Sequence, residues 1–140
     1  MYRSARMTSM DAGLEAALAP VLADLTSTTS FTPEFEEMDW PLNGMVGTLL
    51  VLPNAGGAGI SITRGAGRTD QVVSLADQAQ EWVAEALRGS GRSPVWPECP
   101  GHPDSHPLRP AARSGAATWA CPSSQDEIGP TDTLTSESRP

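Results

Sequence analysis

The sequence contains no lysine: all nine of its positive charges are arginine, set against seventeen Asp and Glu for a formal net charge of −8. That absence removes Schiff-base chemistry, the phosphate-loop lysine and lysine as a general base. The acidic balance also opposes sequence-independent binding to nucleic acid or to anionic lipid, which needs a surplus of cations. The arginines form no stripe. Eight of them come as separate pairs, Arg3 and Arg6, Arg64 and Arg68, Arg88 and Arg92, Arg109 and Arg113, and Arg139 stands alone. No apolar run approaches the roughly 18 residues that a membrane span requires. The basic start, Met1 to Arg6, has no continuous apolar stretch behind it, which argues against an export signal. A cytoplasmic protein is therefore expected, with Met7 and Met10 as alternative starts. Large apolar side chains are also scarce: Leu, Ile, Val and Phe number 24 of 140 residues, and 20 of them lie between Leu14 and Leu87. The length suits one compact domain, or a small domain with an appended module, and both ends are too poor in such residues to order themselves by burial.

What is present divides into four stretches. Residues 1–8 read as a disordered N-terminus and residues 9–91 as a small α+β domain. From Ser9, a candidate N-cap, apolar residues recur at Leu14, Leu18, Val21, Leu22 and Leu25 on one helix face, with Pro20 expected to kink or divide the helix. A polar break, Thr26 to Ser30, and an acidic segment with two prolines, Phe31 to Pro41, follow. A short antiparallel meander is expected next, with strands over Met45–Pro53, Ile60–Thr63 and Thr69–Val73 joined by the glycine-rich turns Asn54–Gly59 and Arg64–Gly67. Ser74 and Asp77 fit a capping box for a second helix running to about Arg88, stopped by Gly89 and Gly91. Residues 93–122 hold seven prolines and form a Pro-rich module, with a hairpin expected between Pro107–Ala112 and Ala116–Ala120 about Arg113-Ser-Gly115. Residues 123–140 are small and polar and read as a disordered tail.

Both cysteines and both histidines fall within 23 residues, as Cys99-x2-His102-x3-His106-x14-Cys121. A Cys-x2-His turn lets two side chains of one tight loop converge on an ion, and a cysteine at the far end of a hairpin closes the shell from the other side. Two thiolates and two imidazoles make a neutral tetrahedral shell for Zn2+. A segment so poor in core residues gains a fixed shape from such an ion, and proline stiffening lowers the entropy lost when the ligands assemble. Cys99, His102, His106 and Cys121 are therefore the expected ligands of one structural zinc ion. The competing readings are a Cys99–Cys121 disulfide, two unrelated thiols with solvent-exposed histidines, and partial metal binding. The lack of an export signal weighs against the disulfide.

The run Trp96-Pro-Glu-Cys99-Pro-Gly-His102-Pro-Asp-Ser-His106-Pro-Leu-Arg-Pro110, followed by Trp119-Ala-Cys121-Pro, resembles a module of small uncharacterised actinobacterial proteins. The preceding Ala76 to Leu87 is similar to the helix found before it there, so the likeness covers roughly residues 45–122. It implies a zinc-ribbon-like module and no particular substrate. The end of the chain, from Pro130, departs from the short apolar finish of that group. Lysine-free, Ala-, Arg-, Pro- and Gly-rich usage likewise looks like the coding bias of a GC-rich bacterial genome.

No catalytic set accompanies the cluster. The glycine-rich turns match no dinucleotide or phosphate-loop pattern. No Gly-x-Ser-x-Gly elbow exists to present a nucleophile to His102 or His106. Glu34, Glu36, Glu37 and Asp39 suit a solvated loop, or else a cation or a basic partner. Trp82 belongs to a helix core, while Trp96 and Trp119 flank and shield the metal loop. The expected function is that of a zinc-binding, non-enzymatic adaptor whose partner is another protein, with no nucleic acid and no membrane. The alternative is a zinc-dependent hydrolase-type enzyme in which His106 swings away, a water fills the open position, and Glu98 or Asp104 acts as base.

Overall fold

The computed structural model describes residues 11–36, 44–52, 56–99, 105–113, 115–123 and 127–130. They form two helices and two three-stranded antiparallel sheets, an α+β fold.

Helix α1 spans Ala12–Thr28 and begins where Asp11 accepts the Leu14 N–H at 3.0 Å. The expected cap, Ser9, lies outside the described residues. Leu14, Ala17, Leu18, Val21, Asp24 and Leu25 form its buried face. Pro20 does not divide it. The carbonyl that a proline at this position leaves without its helical donor belongs to Ala16, on the exposed side, where water can replace the bond. Nor does the helix stop at Thr26, as the polar run there suggests. Thr26, Ser27 and Thr28 donate their hydroxyls to the carbonyls of Leu22, Ala23 and Asp24, and Thr29 donates to Leu25. The hydroxyls that compete with helix elsewhere here bond within its last turn.

Helix α2 runs from Arg68 to Gly89, with Gly67 as a cap that offers no side chain. The expected strand Thr69–Val73 is thus the first turn and a half of this helix, and Ser74 lies inside it rather than at its start. Gln71, Val72, Leu75, Ala76, Ala79, Val83, Ala86 and Leu87 are buried at helical spacing.

Strands β1 (Glu34–Glu36), β2 (Met45–Leu52) and β3 (Gly56–Thr63) make the first sheet in that spatial order. The third strand of the expected meander is therefore β1, directly after Pro33, and Gly56–Gly59 belong to β3 rather than to a loop. Phe35, Leu50, Ile60 and Ile62 face the helices. Along the outer edge of β3, Gln78 of α2 bonds both the N–H and the carbonyl of Ser61, at 2.9 and 2.8 Å, and Gln71 donates to the Thr63 carbonyl at 3.0 Å.

Strands β4 (Arg109–Arg113) and β5 (Ala116–Ala120) form the expected hairpin, with Gly115 at φ +77° in its turn. A third strand, β6 (Glu127–Pro130), pairs with β5 inside the stretch expected to be a tail. Trp96, Leu108 and Trp119 join the side chains of both helices and the first sheet in one buried cluster, and Trp119 is its largest fully buried member. The hydrophobic core thus crosses the change of composition after Gly91.

Candidate metal centre

Two antiparallel arms carry the first two donors. Trp96–Cys99 and Ser105–Leu108 are joined by a bridge between Glu98 and Pro107 and by a 2.8 Å bond from the Leu108 N–H to the Pro97 carbonyl. Cys99 closes one arm and His106 lies on the other. The third donor, Cys121, follows directly on β5, whose antiparallel pairing with β4 returns the chain to the point where Leu108 leaves it.

The donor atoms of Cys99, His106 and Cys121 all lie within 4.8 Å of one another. Both thiols are shut off from solvent, at 2 and 3 % exposure, and no disulfide joins them. The imidazole of His106 is half-buried; its Nδ1 lies 3.4 Å from the Pro107 carbonyl oxygen and its Nε2 is inaccessible to water. His102 lies outside the described residues, as does Asp104. Glu98, the other candidate base, is exposed beside Cys99. Among the acidic candidates, Glu34 and Glu36 are exposed on β1, while Glu37 and Asp39 lie outside the described residues.

The segments that carry the donors are tied to the two helices. Trp96 and Trp119 meet edge to face, with ring centroids 5.7 Å apart and planes at 77°. Their indole N–H groups both donate to α1: Trp96 to the Thr28 hydroxyl and Trp119 to the carboxylate of Asp24, each at 2.9 Å. Asp24 is completely buried. From α2, Gln80 donates through Nε2 to the carbonyls of Trp96 and Leu108, at 3.0 and 2.6 Å. Thr28 and Gln80 are not metal-ligating types, and the carboxylate of Asp24 does not group with the three donors; Asp24 lies on the buried face of α1, whereas Thr28 is exposed and Gln80 half-buried, so nothing in their spacing marked them beforehand.

No protein family, curated protein or solved structure matches the chain. Among the described residues no helix is long and apolar enough to cross a membrane.

Proposed function

We propose that Cys99, His106 and Cys121 hold one zinc ion that fixes the C-terminal sheet against the helix pair, in a small non-enzymatic protein-binding module. The observation that carries this reading is the convergence of the three donor atoms within 4.8 Å, with both thiols shut off from solvent. Two thiolates and an imidazole are the donor set that zinc prefers, whereas magnesium and calcium select oxygen. Zn–S bonds of about 2.3 Å set the edges of a tetrahedral shell at about 3.8 Å, so the donors reach an ion by moving about 1 Å or less. In the tautomer that carries its proton on Nδ1, 3.4 Å from the Pro107 carbonyl oxygen, His106 offers Nε2 to the metal.

His102, three positions after Cys99, is the fourth donor in this reading. A shell of four protein groups leaves no position for water, which makes the ion a staple and not a catalyst. The likeness of the Trp-Pro-x-Cys-Pro run to a zinc-ribbon-like module of actinobacterial proteins belongs to the same reading. The net charge of −8 suits a basic protein partner.

Elemental analysis of the purified protein is expected to find one zinc per chain, lost on Cys121→Ser. Cobalt(II) is expected to give the intense visible bands of a tetrahedral thiolate site. Absence of metal uptake by the parent protein overturns the proposal. A His102→Ala variant with unchanged zinc affinity would remove His102 from the shell, whereas unchanged affinity in His106→Ala is the result that the hydrolase alternative requires.

A further inference from the structure

We infer that Gln80, half-buried on α2, is a positioning residue for this metal centre: it sets the separation of the two ligand-bearing arms. The inference rests on the zinc reading above and assigns a role to a residue that touches none of the donors. A primary amide has two N–H groups on one nitrogen. Here that nitrogen bonds the Trp96 carbonyl at 3.0 Å and the Leu108 carbonyl at 2.6 Å. Trp96 lies three residues before Cys99, and Leu108 two residues after His106. One side chain therefore spans the arms at their base, on the side opposite the donors in sequence.

The arms are also tied directly, through the Leu108 N–H to the Pro97 carbonyl within the bridge between Glu98 and Pro107, which fixes their register. Gln80 adds what that bond lacks, an anchor on a rigid helix. Because Trp96 is also held through its indole by Thr28, its backbone is fixed from α2 and its ring from α1. A ligand pair set in this way loses little freedom when it closes on an ion, and outer contacts that orient metal ligands are worth roughly 10- to 100-fold in affinity.

A matched control lies two residues earlier on the same helix. Gln78 makes equally good amide bonds, to the N–H and carbonyl of Ser61, but on the edge of β3, away from the arms. Loss of either glutamine weakens the fold; only loss of Gln80 reaches the donors.

The experiment titrates zinc(II) into the full-length parent, Gln80→Met and Gln78→Met in competition with a chromophoric chelator, with folding checked by circular dichroism. Gln80→Met is expected to bind zinc about tenfold more weakly and to give weakened, shifted cobalt(II) bands, while Gln78→Met lowers Tm and leaves affinity and spectrum as in the parent. If Gln80→Met does not fold, Gln80→Glu, which keeps the length of the side chain and loses the amide N–H groups, is expected to give the same loss. Equal affinity of the parent and the Gln80 variant overturns the inference, and so does an equal loss in Gln78→Met, which would reduce the effect to general stability. A parent that takes up no zinc overturns the proposed function itself, a result distinct from these two.

Discussion

The side chain with most at stake in the core is Asp24. A carboxylate at zero exposure persists only where donors reach it, and the indole N–H of Trp119 does so at 2.9 Å across 95 positions of sequence. Asp24→Ala is expected to cost about 2–3 kcal/mol, since it leaves the Trp119 N–H buried with no acceptor. Asp24→Asn keeps a carbonyl oxygen in the same place and should cost about 1 kcal/mol. Urea denaturation of the three proteins checks this order, and an asparagine variant as unstable as the alanine one would show that the charge, not the acceptor, is what the core requires. The grouping of Cys99, His106 and Cys121 was legible at this scale, because cysteine and histidine are so rare in the chain that their clustering stands out. Asp24 and Gln80 were not, because a bond to an indole or to a backbone carbonyl leaves no spacing to read.

Among the elements, α1 and α2 show how local rules yield to packing. Thr69 to Val73 has the β-branched, alternating look of a strand, yet Val72 continues the 3.6-residue stripe through Leu75, Ala76 and Ala79, and burial of that stripe decides for helix. β1 was illegible for the opposite reason: three residues directly after Pro33 become a strand only because β2 offers a partner edge, with Phe35 opposite Leu50. The hairpin of β4 and β5 was legible from its turn, where Gly115 takes the positive φ that the loop needs. Pro20 bears on the energetics of α1, since a helix that continues through a proline carries the cost of the lost bond. Pro20→Ala is expected to raise stability by about 1–3 kcal/mol in urea denaturation; no gain would mean that a local bend at Pro20 serves the packing of Leu18 and Val21. At the other end, truncation after Ser123 removes β6 and bares the edge of β5 next to Trp119. A loss of about 1 kcal/mol, or roughly 2–4 °C in Tm, is expected, whereas an unchanged melting curve would make β6 energetically idle.

For the whole molecule the question is whether the change of composition after Gly91 is also an energetic boundary. Residues 93–122 are poor in large apolar groups, and a segment of that kind kept in shape by an ion would melt by itself once the ion is taken away. The packing argues otherwise. Trp96, Leu108 and Trp119 lie in the same buried cluster as Leu18, Leu25 and Val83, and the polar ties of the ligand arms run to Thr28, Asp24 and Gln80 on the two helices. Loosening the arms therefore opens the packing against α1 and α2, so the free energy of the proposed zinc binding would be spread over the whole cooperative unit. At free zinc a hundredfold above Kd the bound form gains about 2.7 kcal/mol, roughly 5–10 °C in Tm for a domain of this size. Calorimetry with and without a chelator is expected to show one transition that moves down by that amount as a unit. A thermogram that splits in two, with the zinc-sensitive part melting first and the remainder unmoved, would place the boundary after Gly91 and reduce Trp119 and Asp24 to a contact between two separately stable halves.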